Sequence, residues 1–230
     1  MKILDGKLLA KKLNDELSKK ILSYNNEYGR KPHLLVILVG DNPASQVYVK
    51  NKEKKAAEVG IKSTVIRLSK NVTENKLLKV IDEANANISI DSILVQLPLP
   101  NHINSNKVID RISIEKDVDG FNSKNIGLLA LGRPKVIPCT PLGCYKMLES
   151  ILDLEGKKVI ILGRSNIVGK PLSFLLTNKN ATVTLAHSKS KNLQSLCLSS
   201  DIIIAAIGKP NFVKKEWVKE NAVIIDVGIN

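Results

Sequence analysis

Apolar residues recur in the first part of the chain at the spacing of an amphipathic helix, and short apolar runs of strand length follow. The opening helix is predicted from Leu8, Leu9, Leu13, Leu17 and Ile21. Strands are predicted at residues 34–39, 62–68 and 93–97. A helix that Gly60 stops separates the first two strands, and a helix that Thr73 caps separates the next two. This alternation predicts an α/β fold with a mostly parallel sheet under helical cover.

The second half of the chain repeats the alternation after a stretch broken by Pro98, Pro100 and the turn at 117–120. Thr140 suits a helix N-cap and Pro141 suits the first helical position, so a second start is predicted there. Strands are predicted at residues 158–162, 182–186, 202–207 and 223–227. We therefore predict two domains with a cleft between them. They are an α/β substrate domain over residues 1–139 and a Rossmann-like domain over residues 140–230.

Composition and charge narrow the function only slightly. The 230 residues carry a formal net charge of +13, but the lysines are scattered and only 3% of residues are aromatic, which disfavours a nucleic-acid partner. Anionic small molecules, or a compositional bias without function, explain the charge equally well. No secretory signal and no apolar run of about 20 residues is found, so no membrane partner is expected. The three cysteines lack metal-like clustering, which predicts no metal site and a cytoplasmic location.

Lys52 occupies an unusual position for a lysine in a predicted helix. At about 100° per residue it shares a stripe with Tyr48, Val49, Ala56 and Val59. An ammonium among apolar neighbours loses hydration, which favours the neutral amine that proton transfer requires. The alternative is that Lys52 extends its ammonium from a half-buried face into water, as most lysines do. This segment alone leaves both interpretations open.

A glycine loop follows the first strand of the second domain. The loop, Gly163-Arg-Ser-Asn-Ile-Val-Gly-Lys-Pro171, comes after an apolar strand and opens a helix, as a dinucleotide fingerprint does. Ser165 takes the place of the middle glycine, and Gly169 comes one residue late. Gly163 can still make the tight turn, and free N–H groups of the helix can receive a pyrophosphate. An ordinary tight turn between strand and helix is the alternative.

The end of the next strand bears on the cofactor. An NAD site usually places an acidic residue there, to hold the ribose hydroxyls. This chain has Ala186-His-Ser-Lys-Ser-Lys191, with no acid and several donors, and Arg164 adds a cation in the glycine loop. These groups suit a 2′-phosphate, so the sequence favours NADP over NAD.

Six segments, in this order, resemble the bifunctional methylenetetrahydrofolate dehydrogenase/methenyltetrahydrofolate cyclohydrolase family. Together they extend from the first strand to the last residue of the chain, and six motifs in order are highly specific. The segments are Val39-Gly-Asp-Asn-Pro-Ala-Ser-Gln-Val-Tyr-Val-Lys-Asn-Lys52, Val95-Gln-Leu-Pro-Leu-Pro100, Lys116-Asp-Val-Asp-Gly-Phe121, Pro138-Cys-Thr-Pro-Leu-Gly143, the glycine loop and Asp226-Val-Gly-Ile-Asn230.

The resemblance implies an NADP-dependent enzyme of one-carbon metabolism and purine biosynthesis, usually a homodimer, acting on tetrahydrofolate one-carbon derivatives. It would oxidise 5,10-methylenetetrahydrofolate and hydrolyse the methenyl product to 10-formyltetrahydrofolate. The family match makes Lys52 the catalytic group, supported by Tyr48, Gln96 and Asp119. The same match implies that NADP is bound by Gly163, Arg164, Ser165 and Ser188, with Ile229 beside the nicotinamide.

Residue chemistry is consistent with these roles. Gln96 ends an apolar strand, so its amide needs a partner and could bond Lys52. Tyr48 offers a flat face for a pterin, and Asp119 could accept hydrogen bonds from the pterin amino group and ring N–H. Each residue also has a structural alternative: Gln96 as a strand cap, Asp119 as a turn former and Tyr48 as part of a core.

The sequence departs from the family pattern after Asn230. Family members continue with a loop rich in Pro and Gly and a final helix that packs on the first domain, so a closing segment is expected to be missing here. If the polypeptide ended there, folate binding would be weaker and the fold marginally stable. The alternative function is a non-catalytic remnant that binds NADP or pairs with a full-length partner.

Overall fold

The computed structural model describes residues 3–228, which divide into two compact units at Ser123 and Lys124. The first unit alternates helices and strands as predicted. Its elements are α1 (Gly6–Tyr28), β1 (His33–Val39), α2 (Pro43–Val59), β2 (Lys62–Leu68), α3 (Glu74–Ala86), β3 (Ser92–Val95) and α4 (Ser105–Arg111). The three strands form a parallel sheet in the order β2-β1-β3.

Both faces of the first sheet are apolar, which is why β1 reads as an almost unbroken hydrophobic run. One face of β1 and β3, including Ile37 and Ile93, packs against Leu77 and Ile81 of α3. The opposite face packs against Val49 of α2. Helix α2 therefore packs on the face of the sheet to which Val36 and Leu38 of β1 and Leu94 of β3 contribute.

Helix α2 begins and ends at residues that suit these positions. The Asn42 side chain accepts a hydrogen bond from the Ser45 N–H (3.0 Å), and Pro43 occupies the first turn, where no N–H is needed. Gly60 ends the helix at φ +91°, a conformation that favours glycine. These signals fix where the helix starts, and therefore which residues face β1 and β3.

The second unit also alternates strands and helices, which confirms the predicted Rossmann-like arrangement. Its elements are α5 (Ser123–Ala130), α6 (Cys139–Glu149), β4 (Lys158–Leu162), α7 (Gly169–Thr177), β5 (Thr182–Ala186), α8 (Leu193–Leu198), β6 (Ile202–Ala205), a 3₁₀ turn (Lys215–Trp217) and β7 (Val223–Asp226). The four strands are parallel and lie in the order β5-β4-β6-β7. Apolar side chains cover both faces of this sheet, with Ile161 towards α7 and Ile160 towards Cys197 of α8.

The boundary between the compact units lies earlier than the predicted division at residue 140. Helix α5 belongs with the second unit, because Leu129 is buried against Leu148 and Leu172, and because its carbonyl accepts a hydrogen bond from Asn178 Nδ2 (2.6 Å). The next helix also starts differently from the prediction. It begins at Cys139, which places Thr140 inside the first turn rather than at the cap.

Helix α1 is present as predicted, but most of its apolar stripe is exposed. Ile21 is buried, whereas Leu8 is 67% exposed, Leu17 40% and Leu13 38%. No helix within residues 3–228 is long and apolar enough to cross a membrane.

Candidate active site and dinucleotide site

Lys52 is half-buried on the face of α2 that turns towards the sheet. Val49, Ala56 and Val59 of the predicted stripe are buried. The Lys52 ammonium does not extend freely into water, because Nζ donates a hydrogen bond to Gln96 Oε1 at 3.0 Å. Two residues that are 44 positions apart in the chain are thereby brought together.

Gln96 follows the last residue of β3, and both ends of its side-chain amide have partners. Its backbone N–H continues the sheet by donating to the Ile37 carbonyl (2.9 Å). Its side-chain Nε2 donates to the Leu97 carbonyl (2.6 Å), next to the cis peptide bond between Leu97 and Pro98. With the NH₂ group engaged there, Oε1 is the atom that faces Lys52.

Asp119 is half-buried and lies within the electrostatic reach of Lys52. Burial raises the pKa of the Asp119 carboxyl above its usual value, the positive charge of Lys52 opposes that rise, and the negative charge of Asp117 adds to it. Lys52, Gln96 and Asp119 therefore form one cluster within the first unit.

Tyr48 lies one turn before Lys52, with 42% of its surface exposed. It belongs to none of the apolar clusters of the described residues, so it is not a core residue. A tyrosine exposed beside a half-buried lysine leaves its ring face open to a planar ligand.

Two glycines of the glycine loop stand where no side chain fits. Gly163 directly follows β4 with φ +121°, and a Cβ added there would overlap the Ala206 carbonyl. Gly169, the first residue of α7, packs so closely that its Cβ would overlap the Gly163 carbonyl. The late glycine thus lets the helix approach the end of β4, which is one of the roles of fingerprint glycines.

Ser165 accepts hydrogen bonds from the N–H groups at the start of α7, and this corrects one expectation. Its Oγ accepts hydrogen bonds from the N–H groups of Val168 (3.1 Å) and Gly169 (3.4 Å), and its carbonyl accepts from Lys170 N–H (3.1 Å). Pro171 has no N–H. The first turn of α7 therefore does not present the free N–H groups expected for a pyrophosphate, because Ser165 already satisfies them.

A small apolar cavity of about 220 Å³ lies at the carboxyl end of β4 and β5. Its lining includes the predicted residues Gly163 and Ser188. It also includes Ala186 and His187 from the predicted segment 186–191. Five further residues of the lining were not among the predicted cofactor-binding residues: Leu162, Leu193, Ile207, Lys209 and Phe212. The glycine after β6 was the available signal for Ile207 and Lys209, and nothing in the sequence pointed to Phe212.

A tight turn at 187–190 forms the polar rim of this cavity. His187 N–H donates to Ser190 Oγ (2.9 Å), and Ser190 N–H donates back to the His187 carbonyl (2.8 Å). Lys189 N–H donates to His187 Nδ1 (3.2 Å), which makes Nε2 the protonated ring nitrogen of the neutral imidazole. Ser188 and Lys189 are exposed on the turn, and Arg164 is exposed in the glycine loop.

These residues fit an adenine nucleotide that carries a 2′-phosphate. The cavity is lined mostly by apolar side chains, Gly163 adds no side chain to it, and Ser188 and Lys209 contribute a hydroxyl and an ammonium group without a carboxylate. Ile229 lies outside the described residues. Within residues 3–228 no group of three or more Cys, His, Asp or Glu side chains could hold a metal ion.

Fold and site together define a two-unit α/β enzyme with a lysine-centred polar cluster and an NADP-binding Rossmann-like unit. The catalytic-domain profile of the tetrahydrofolate dehydrogenase/cyclohydrolase family matches residues 4–119, and the profile of its NAD(P)-binding domain matches residues 138–230. The chain belongs to the tetrahydrofolate dehydrogenase/cyclohydrolase family.

Individual relatives agree with this assignment. The bifunctional protein FolD of Streptococcus uberis is 54% identical over 229 residues, which cover 99% of this chain and 81% of the relative. The crystal structure of the Campylobacter jejuni bifunctional FolD superposes with a TM-score of 0.97 at 47% identity, covering 100% of this chain and 82% of the other. The Trypanosoma brucei enzyme, solved with NADP and an inhibitor, has a TM-score of 0.94 at 36% identity, with coverages of 99% and 78%.

The predicted family, the enzyme class and the NADP cofactor are confirmed by these matches. Nothing in them favours the alternative of a non-catalytic remnant. The roles of individual site residues stay predictions.

Proposed function

We propose that this chain oxidises 5,10-methylenetetrahydrofolate with NADP and hydrolyses the methenyl product to 10-formyltetrahydrofolate, with Lys52 as the proton-transferring group. The observation that carries the assignment of Lys52 is its hydrogen bond to Gln96, which holds a half-buried amine at the end of a parallel strand. Ligand sites of α/β sheets lie at this edge, beyond the carboxyl ends of the strands.

Lys52 serves the hydrolytic step. Attack of water on the methenyl carbon requires that the water lose a proton, and opening of the one-carbon bridge requires that the departing ring nitrogen gain one. A neutral Lys52 amine takes the first proton and returns one to the nitrogen, so a single group performs both transfers. Gln96 holds the amine in place by accepting one of its N–H bonds throughout.

The remaining residues of the cluster orient the folate. Tyr48 offers an exposed ring against which the pterin can stack, and the Asp119 carboxylate can accept hydrogen bonds from the pterin amino group and ring N–H. Bound NADP supplies the hydride acceptor for the oxidative step. That step needs positioning more than proton transfer, so Tyr48 and Asp119 matter to both activities.

The proposed activity is tested by following NADPH absorbance with methylenetetrahydrofolate and NADP, and loss of methenyltetrahydrofolate in a separate assay. Turnover in both assays is expected. A folded protein that binds NADP but shows neither activity would support the remnant instead.

Arg164 is proposed to set the preference for NADP by binding the 2′-phosphate together with Ser188. Replacing Arg164 by alanine should raise the KM for NADP about 10- to 100-fold, because a hydrogen bond to a charged group contributes roughly 1.5–3 kcal/mol. The KM for NAD should stay nearly unchanged, since NAD has no 2′-phosphate. Steady-state kinetics with both cofactors measures the ratio.

The matched control for Arg164 is Lys158→Ala, which removes an exposed cation from the opposite end of β4. It should leave both KM values unchanged. A rise in KM of equal size for NAD and NADP in Arg164→Ala would contradict 2′-phosphate recognition by this residue.

A homodimer, a cytoplasmic location and a supply of one-carbon units to purine biosynthesis complete the proposal. These three points are supported by the resemblance of the six motifs to the family. Light scattering on the purified chain tests the dimer, and a monomer at micromolar concentration would contradict it.

A further inference from the structure

The loop of residues 116–122, here called the Asp119 loop, is fixed by a different contact at nearly every position. Lys116 comes first. Its Nζ donates hydrogen bonds to the carbonyls of Ala84 (3.1 Å), Asn85 (2.8 Å) and Asn87 (2.7 Å) at the end of α3. A cation is favourable there, because the last carbonyls of a helix lack partners and carry partial negative charge. Lys116 thus ties the start of the loop to α3.

Asp117 fixes the turn itself. Its side chain is 2% exposed, and its two carboxylate oxygens accept hydrogen bonds from the N–H groups of Gly120 (3.1 Å) and Asn122 (2.9 Å). Each of these bonds closes a turn that contains Asp119, because it joins Asp117 to a residue that follows Asp119. A buried carboxylate that is held by backbone N–H groups fixes the local chain path and is costly to disturb.

The loop is also aligned with β3. Ile93 N–H donates to the Lys116 carbonyl (2.7 Å), and Ile93 and Asp117 form a parallel bridge. The chain after Asp117 therefore runs towards the end of β3, where Gln96 lies. Val118 packs against the apolar cluster of Val36, Leu38, Val49 and Leu94, so the loop shares this cluster with the helix that carries Lys52.

We propose that Lys116 and Asp117 are positioning residues of the folate site, which fix the Asp119 loop so that the Asp119 carboxylate stays beside Lys52. The proposal rests on the role proposed above for Asp119. It assigns a function to two charged residues of the Lys-Asp-Val-Asp-Gly motif whose side-chain hydrogen bonds described above go to backbone groups at the end of α3 and of the loop itself.

A double-mutant cycle tests the proposal. We expect Asp117→Asn to lower kcat/KM for methylenetetrahydrofolate by about tenfold or more, mainly through KM, because small misplacements of a binding group are costly. The amide has one accepting oxygen instead of two, so the N–H of Gly120 or Asn122 loses its side-chain acceptor. Added to Asp119→Asn, the same change should cost almost nothing further, since the group it positions is already disabled.

Different failures separate the two proposals. An unaffected Asp119→Asn variant would contradict the role of Asp119, and the positioning role with it. An impaired Asp119→Asn beside an unaffected Asp117→Asn would contradict the positioning role alone. So would an equal loss caused by Asp117→Asn in both backgrounds.

A second variant and a control distinguish an effect on the position of Asp119 from a general loss of structure. Lys116→Met releases the other end of the loop and should raise the same KM, so it replaces Asp117→Asn in the cycle if that variant does not fold. Asp91→Asn is the matched control. Asp91 also accepts a backbone hydrogen bond, from His33 N–H (2.8 Å), but it precedes β3 at the opposite end from Gln96. It should lower stability without changing the KM for folate.

The pH profile separates positioning from simple loss of stability. The charged groups that act on Asp119 are Lys52 from α2, which lowers its pKa, and Asp117 from its own loop, which raises it. Removing the Asp117 charge should lower the pKa of Asp119, so the acidic limb of kcat/KM should move to lower pH in Asp117→Asn. It should not move in that direction in Asp91→Asn. An acidic limb that stays in place in Asp117→Asn would contradict the proposal.

Discussion

Replacing Lys52 by methionine is expected to reduce the cyclohydrolase kcat by roughly 10²- to 10⁴-fold, the range that a well-placed general acid–base contributes. Methionine keeps the length and apolar stem of the side chain but has no exchangeable proton, so the fold should survive. The dehydrogenase should fall less, because hydride transfer depends on orientation more than on a proton shuttle. Parallel assays of the two activities on one preparation measure the difference.

Two further substitutions sharpen the test of Lys52. Lys52→Arg keeps the positive charge but does not release a proton at neutral pH, so the cyclohydrolase should remain low if proton transfer is the role. Lys50→Met makes the methionine replacement at an exposed position of the same helix and should leave both activities unchanged. Hydrolysis that survives Lys52→Met would refute the assignment.

Replacing Gly169 by alanine is expected to destabilise the second unit and to weaken NADP binding. Alanine in a helix interior normally gains about 1 kcal/mol over glycine. Here the new Cβ would overlap backbone atoms of Gly163 and Arg164, which cannot swing aside as a side chain could. Overpacking of this kind costs about 1–3 kcal/mol, occasionally more. Because α7 would move away from β4, the KM for NADP should rise as the denaturant midpoint falls.

Gly127→Ala is the matched control for this substitution. Gly127 also lies in a helix of the second unit, but a Cβ there meets nothing within 4 Å. The control should therefore be neutral or more stable. A Gly169→Ala variant with unchanged stability and unchanged NADP affinity would show that the close approach of α7 to β4 is not required.

The elements that the sequence predicted best are those with strong local signals. The strands at 62–68, 158–162 and 182–186 are found at these residues, because short stretches rich in apolar and β-branched residues are bounded there by turns and helix ends. The division between the compact units at Ser123 and Lys124 differs from the predicted division at residue 140. The difference arises because α5 joins the second unit through burial of Leu129 against residues far along the chain, and no local sequence pattern shows such a contact.

The sequence identified the residues of the candidate site better than it identified the contacts among them. Motif resemblance identified Lys52, Gln96 and Asp119, and the Lys52–Gln96 hydrogen bond was anticipated from the need of a strand-end amide for a partner. The hydrogen bonds that Ser165 accepts from the start of α7 were missed, because they depend on where the helix begins. The contacts of Lys116 with α3 depend on tertiary packing and could not be read from the sequence.

The orientation of the Gln96 amide has a stereochemical consequence for the chemistry at Lys52. With Nε2 donating to Leu97, a flip of the amide would break that bond and turn an NH₂ group against the lysine. Towards Lys52, the Gln96 side chain can therefore only accept a hydrogen bond. When Lys52 is neutral, one of its two N–H bonds points to Gln96 and its lone pair must point elsewhere. The strand end thus excludes one of the three positions around Nζ for the lone pair, and only the two positions that point away from Gln96 can take a proton from water.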